Sequence, residues 1–327
     1  MQYPTLFIGL GGTGEQVLAQ IKAMLLDNSP ILGLHRFLCI DVDESGRYRE
    51  ERLTKPLEFF REFLNLGFYY PAFIEKVCEQ DVYFNKWWYD CKEWLFFQRT
   101  SGIGTYSDNR SSTLLFSNLN RRIRRVCLYY DLLQGKNGRL ANIDRFLGSG
   151  FQPERIVVIA SLCGGTGSGL FLDIGYFLKN IFPESLALCI LTVPEIYPSA
   201  SHFSDYFRGN AYAAIRELEH FSRSHYEFGP EDYRLVFDGV NPFSEYWVVG
   251  NEEFAGSKSD LSAYFTEIAR IMTEKVVLSG SLDDKAVYLP LSEHIQYWKS
   301  WEQSFHKVMQ HGFSLYISRE LDEIKAA

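Results

Sequence analysis

Two glycine-rich stretches carry the residue types that could do chemistry. One is "TLFIGLGGTG", Thr5 to Gly14, and the other is "SLCGGTGSG", Ser161 to Gly169. Each follows an apolar run and precedes a helix-like one. Glycines at such a junction let backbone N–H groups converge with no Cβ in the way. The start of a helix adds its unpaired donors and the positive end of its dipole. That combination suits a phosphate. Gly9, Gly11 and Gly14 spell G-x-G-x-x-G, the dinucleotide fingerprint, and Asp41 ends the next apolar run, where an acid can hold a ribose hydroxyl. On this loop alone a Rossmann NAD(P)-dependent oxidoreductase is one reading. The second loop, Gly164 to Gly169, adds the hydroxyls of Thr166 and Ser168 and lacks the lysine of a Walker P-loop. A single nicotinamide cofactor gives no reason for a second cradle. Two lysine-free cradles point to a nucleotide polyphosphate held between two helix N-termini, with a metal ion meeting the remaining charge.

Other constellations are weaker. His220 and His225 are five apart, as are His306 and His311, so neither pair shares a helix face. Ser161, Ser168 and Ser201 lack the G-x-S-x-G context of a nucleophile. Glu217 and Glu219 diverge on a helix and read as surface acids. "NRRIRRV", Asn120 to Val126, spreads four arginines over more than one helix face, a solvated or acid-paired patch rather than a nucleic-acid site.

The elements that must position the loops alternate in type. Apolar runs predict strands over Thr5–Gly9, Arg36–Asp41, Arg155–Ser161, Leu186–Val193, Arg234–Phe237 and Glu245–Val249. Helical patterns cover Gly14–Leu26, Ser111–Leu133, Ser168–Lys179, Gly209–Ser224 and Asp260–Leu278. Buried strands separated by helices indicate an α/β fold, a parallel sheet flanked by helices. Ligands of such sheets bind at the carboxyl ends of the strands, where both loops fall. Between about residues 56 and 97 the chain is aromatic and helical in rhythm ("EFFREFLNLGFYYPAFIEKV", "VYFNKWWYDCKEWLFF"). This reads as a helical insertion packed on the sheet, or as a surface for a protein partner. Beyond Leu278, "SEHIQYWKSWEQSFHKVMQ" reads as a helix and "GFSLYIS" as a strand.

These loops carry a resemblance. "GGTGSG" after a buried strand resembles the signature loop of the tubulin and FtsZ superfamily, GGGTGSG, with Cys163 in place of its first glycine. "GLGGTG", with Gly11, Gly12 and Thr13, resembles the family's first phosphate loop, and the second contributes Gly164, Gly165, Thr166, Gly167 and Ser168. "IDVDES" is similar to the acidic second loop, which implies Asp41 and Asp43 near the nucleotide and Asp43 closer to magnesium. "SGIGTYSDNR" is similar to the third loop, implying that Gly102 and Gly104 face the terminal phosphate; by position Arg110 is a candidate to sense it, or else a member of a surface ion pair. "TVPEIYPS" resembles the loop near the ribose and points to Glu195. "RGNAYAAIRELEHF" resembles the helix whose asparagine reads the base and points to Asn210. The helix over Asp260–Leu278 stands where the family has its central core helix, with Tyr264 or Phe265 as a stacking candidate. "FIGLGGTG" and "AYAAIRELE" look nearer to bacterial tubulin-like proteins than to eukaryotic tubulin or FtsZ.

The resemblance implies GTP or GDP with Mg2+, and hydrolysis at a contact between copies, where an acid from one copy orients the attacking water in the next. Asp283 and Asp284 are candidates for that acid, and Glu320 or Asp322 are alternatives. Residues 1–278 then form the tubulin-like nucleotide-binding domain, and 279–327 begin a reduced or missing second domain. Hence three functional expectations stand. The chain is a GTPase dependent on self-assembly into oligomers or filaments. Alternatively, it is a non-hydrolysing GTP-dependent sensor that binds a partner through the aromatic insertion. The third is the Rossmann oxidoreductase.

Composition bounds these expectations. With 33 Lys and Arg against 41 Asp and Glu, the net charge of −8 gives no generic attraction to nucleic acid or anionic lipid. No run of ~18 uninterrupted apolar residues predicts a membrane span, and the N-terminal apolar run lacks the basic leader of a signal peptide. Six cysteines without CxxC spacing, several of them in apolar runs, predict reduced thiols and a cytoplasmic location.

Overall fold

The computed structural model describes residues 3–26, 29–42, 54–67, 121–197, 204–250, 261–274 and 291–310. Among these, six strands form one parallel sheet in the order β3-β2-β1-β4-β5-β8. They are β1 (Thr5–Leu10), β2 (Arg36–Asp41), β3 (Phe63–Asn65), β4 (Arg155–Ser161), β5 (Leu186–Thr192) and β8 (Glu245–Val249). Every residue of β1 and β4 is buried. That is why both read as unbroken apolar runs rather than as alternation: helices cover both faces of a parallel sheet.

The long helices are α1 (Gly11–Leu25), α2 (Arg121–Leu133), α3 (Gly165–Ile181), α4 (Ser204–Phe221), α5 (Leu261–Met272) and α6 (Trp298–Gln310). α5 packs on α1, α2 and α4 pack on α3, and α6 packs on α4. No helix among the described residues is long and apolar enough to cross a membrane. From β1 the chain builds outward through β2 to β3, and from β4 it builds the other way through β5 to β8. The order therefore reverses between β1 and β4, and a sheet of this kind opens a ligand crevice at such a reversal.

Several sequence expectations change. The expected strand Arg234–Phe237 is not part of the parallel sheet. It is β7 (Leu235–Asp238), paired antiparallel with β6 (His225–Phe228) in a separate two-stranded sheet. Its residues alternate in burial, the mark of a ribbon with one wet face. The expected helical insertion begins differently as well. Phe59–Glu62 is a single helical turn, and Phe63–Asn65 is the edge strand β3 along β2; residues 68–97 lie outside the described residues. α1, α3 and α4 each start earlier than the patterns predict. For α1 and α3, low glycine propensity pushes a sequence reading past the glycines, yet these residues form the first turn. Of the expected helix Ser111–Leu133, the described part is α2. "GFSLYIS" lies outside the described residues. In the segment expected to begin a second domain, α6 lies on α4, and Trp301 is fully buried.

Candidate functional site

β1 and β4 are neighbours in register, Leu10 beside Ala160, so both glycine loops leave the sheet at one end and side by side. α1 starts at Gly11 directly after Leu10, and α3 starts at Gly165 after Gly164. Neither helix has a side-chain cap, and neither has an acid in its first turn. Both therefore present unpaired N–H groups and a positive dipole end at the same place. The loops also approach each other closely. Gly11 has a φ of +68°, which an L side chain adopts poorly, and a Cβ there would lie 3.2 Å from the Thr166 Cβ.

The other glycines divide by what surrounds them. A Cβ on Gly14 would lie 2.6 Å from the carbonyl oxygen of Ile159, and one on Gly9 would lie 2.5 Å from the carbonyl carbon of Gly14. A Cβ on Gly167 would lie 2.6 Å from the Ser161 carbonyl oxygen, and one on Gly169 would lie 2.9 Å from that of Arg121. These four let helix and strand backbones approach. A Cβ on Gly12 or on Gly164 would meet nothing within 4 Å. They mark the open side of each loop, where a ligand can reach the backbone.

The polar groups around the opening are tied to one another. The Thr166 hydroxyl donates to Asp41 Oδ1 at 2.6 Å, and the Val42 amide donates to the same oxygen at 2.7 Å. Burial pushes the Asp41 carboxyl above its ordinary range, offset in part by the Thr166 hydrogen bond and by the Arg124 guanidinium. Arg124 reaches this end of β2 and donates to the Val42 carbonyl at 3.4 Å. The Ser168 hydroxyl donates back to the Gly164 carbonyl. Thr13 Oγ1 lies 2.6 Å from the Tyr197 hydroxyl, which donates to Ser161 Oγ at 2.9 Å; the shared phenol thus links both loops. Burial raises the Tyr197 phenol to about 12, so it stays a donor at neutral pH.

Glu195 sits on the turn Pro194–Ile196 after β5. Its Oε1 accepts from Trp301 Nε1 at 2.9 Å and lies 3.5 Å from Arg208 Nε. Asn210, on α4, is buried and donates to the Cys163 carbonyl at 2.9 Å. The structure thus brings Gly11, Gly12, Thr13, Asp41, Gly164, Gly165, Thr166, Gly167 and Ser168 to one end of the sheet, with Glu195 beside them on the turn after β5 and Asn210 tied to the second loop. Tyr264 and Phe265 are core residues of α5, each 6% exposed, which leaves neither ring an open face for a base. Asp43, Gly102, Gly104, Arg110, Asp283, Asp284, Glu320 and Asp322 lie outside the described residues.

Among the described side chains of the arginine patch, Arg121, Arg124 and Arg125 are buried, and Arg121 and Arg125 are acid-paired. Arg121 Nη2 meets Glu217 Oε2 at 2.5 Å and also donates to the Ser168 carbonyl at 2.8 Å. Arg125 forks onto both oxygens of Asp173 at 2.8 Å, and the Tyr226 hydroxyl donates to the same carboxylate at 2.6 Å. Glu217 and Glu219, read as surface acids, are each 6% exposed. Glu219 accepts from the Ser292 amide at 2.7 Å. Ser161 and Ser168 are buried too. Sequence reasoning missed Tyr197 and Trp301 as site neighbours. The one available signal was the position of Tyr197, two residues after Glu195.

Fold and site together define a doubly wound α/β protein with two glycine loops at adjacent strand ends. The chain belongs to the tubulin-like family: the family model described as "Tubulin like" matches residues 113–314. Among solved structures, CetZ from Methanosaeta thermophila strain DSM 6194 superposes with a TM-score of 0.50 at 13% identity, covering 86% of this chain and 57% of that one. A GTPγS-form protofilament of TubZ from Bacillus thuringiensis serovar israelensis gives a TM-score of 0.41 at 11% identity, covering 89% of this chain and 59% of that one. The phage tubulin PhuZ bound to GDP gives 0.42 at 13% identity, covering 86% and 58%. At 13% identity the likeness to CetZ is one of fold, and the chain spans little more than half the length of that relative. No curated protein sequence matches.

Proposed function

We propose that this chain binds GTP or GDP with Mg2+ across the two glycine loops, and that it hydrolyses GTP where copies of the chain meet. The observation that carries this is the convergence of two uncapped helix N-termini at adjacent strand ends, with open space where a Cβ would stand on Gly12 and on Gly164. A nicotinamide enzyme shares the strand order, but its pyrophosphate needs only the first loop. Here an occupant of the first loop also meets the second, because Gly11 and Thr166 lie so close that a Cβ on Gly11 would crowd Thr166. Membership of the tubulin-like family supports the same choice.

The residues fit the ligand. The N–H groups of Gly12 and Thr13 from one loop, and of Gly165 and Thr166 from the other, face phosphate oxygens. Among the described residues no group of three or more His, Cys, Asp or Glu could hold a metal. Mg2+ bound between phosphates needs no such cage, since one or two carboxylates and waters complete it. Asp41 supplies one carboxylate and Asp43 a second. When bound, the ion neutralises phosphate charge. Glu195 takes the ribose and Asn210 the base. Asp283, Asp284, Glu320 or Asp322 of a neighbouring copy orients the attacking water. Residues 1–278 hold the groups that touch the nucleotide.

Turnover measured against protein concentration tests this proposal. Phosphate release should rise more than linearly. Strictly proportional release would remove the need for a neighbour's acid, and GTP binding without release would leave a nucleotide sensor.

A further inference from the structure

Trp301 lies on α6, 106 residues from Glu195 in the chain, and its side chain is fully buried. A buried indole N–H needs an acceptor, and in most cores a backbone carbonyl serves. Here the acceptor is the Glu195 carboxylate, at 2.9 Å. A hydrogen bond to an ionised acceptor is about twice as strong as a neutral one. Arg208 Nε approaches the same oxygen at 3.5 Å. α6 is itself well anchored on α4. The Tyr212 ring packs at a tilt against Trp298 and Phe305, with ring centroids 4.5 and 5.0 Å away, and its hydroxyl donates to Glu302 at 3.1 Å. Ser304 donates to Asp205 at 3.0 Å, and Lys307 pairs with the same carboxylate. Glu195 is therefore held from behind by a rigid helix. In front, Tyr197 on the same turn touches Thr13 of the first loop.

We propose that Trp301 is a positioning residue for the nucleotide sugar. Its indole N–H fixes the Glu195 rotamer, so that the carboxylate accepts a hydrogen bond from a ribose hydroxyl. This rests on the guanine-nucleotide reading and deepens it, because it makes α6 part of the site. An ionised carboxylate has about four lone-pair directions, so one oxygen can carry the indole while the group still receives the sugar. α6 then senses the sugar through the Glu195 carboxylate.

The test compares GTP, 2′-deoxy-GTP and 3′-deoxy-GTP, titrated with Mg2+ against the full chain, Trp301→Phe and Glu195→Gln. The full chain should prefer GTP to one of the deoxy forms by about tenfold, the size of one hydrogen bond to a charged group. Trp301→Phe should cut that preference to about threefold or less, while its affinity for the deoxy form stays unchanged. A merely structural loss would weaken all three ligands together. Because Trp301→Phe could fail to fold, 15N-indole NMR of the full chain provides a second measurement, with Trp301 assigned by elimination among the six tryptophans. Its resonance should move more with GTP than with the deoxy form. Full sugar preference retained in folded Trp301→Phe, or equal indole shifts with both ligands, overturns the inference and leaves the nucleotide site standing. Absence of guanine nucleotide binding by the full chain overturns both.

Discussion

In the first glycine loop, Gly9 and Gly14 face each other across a strand-to-helix turn, and the one polar tether described is the Thr13 hydroxyl on Tyr197. In the second, Gly167 and Gly169 face Ser161 and Arg121. Further ties hold it, among them Thr166 to Asp41, Ser168 to Gly164, Arg121 to the Ser168 carbonyl and Asn210 to the Cys163 carbonyl. The same residue type thus answers two demands inside each loop. Some glycines admit a neighbouring backbone, and others leave room for a ligand. The second loop is fixed by the protein before any ligand arrives, and the first keeps a hydroxyl whose partner can be exchanged. Such pre-organisation lowers the cost of binding.

Substitutions can break that division, and the packing glycines should show the largest effect. Gly14→Val or Gly167→Val forces a Cβ into backbone atoms at 2.6 Å or less and should cost more than about 4 kcal/mol, read as loss of the cooperative urea transition. Arg125→Met, behind the second loop, strands the Asp173 carboxylate in the core and should cost about 3–5 kcal/mol. The double variant Arg125→Met, Asp173→Leu should recover much of that loss in the same unfolding assay.

A third prediction concerns pH. His35 is buried, and that burial, with Arg36 adjacent, lowers its pKa to about 4. The unfolded chain takes up the proton near 6.5 and the folded chain does not, so stability falls as pH drops from about 6.5 to about 4. The loss amounts to about 3 kcal/mol. His35→Phe should flatten this part of the stability–pH curve, and an unchanged slope would refute the assignment.

The open glycines should behave oppositely to the packing ones. Gly12→Leu and Gly164→Leu should stay within about 1 kcal/mol of the full chain in stability while weakening GTP binding at least about tenfold, ~1.4 kcal/mol. Equal affinity in either variant would detach that loop from the ligand. The smallest effect should come from Asp41→Asn. Asn accepts the same Thr166 hydrogen bond, and it relieves the cost of ionising a carboxyl whose pKa burial has raised. That cost appears as pH climbs through the unfolded value near 3.9. The variant should therefore melt higher at pH 7. Its GTP affinity should lose about 1 kcal/mol in Mg2+ and little in a chelator, measured by paired titrations.

Much of this was legible in the chain. β1 and β4 announce themselves because strands buried on both faces are apolar along most of their length, and the glycine loops do so because Gly9, Gly14, Gly167 and Gly169 face backbone that a Cβ would strike. The helix starts were not legible, since the glycines that weaken a helix pattern also form the first turns of α1 and α3. β7 was misassigned because four residues of apolar pattern carry no information about their partner strand. The arginines of α2 were half legible. Their clustering is visible, but the burial of Arg121 and Arg125 depends on Glu217 and Asp173, acids on other helices. The Trp301–Glu195 link depends on how α6 lies on α4, and no local pattern encodes that.

The most direct measurement is to denature the purified chain, identify any released nucleotide, and titrate GTP, GDP, ATP and NAD with Mg2+ against the full chain, Gly12→Leu and Gly164→Leu. A single guanine nucleotide shared by both loops predicts near-stoichiometric GDP or GTP in the full chain and loss of it in each variant. Preference for NAD, or guanine nucleotide retained when the second loop is blocked, would contradict it.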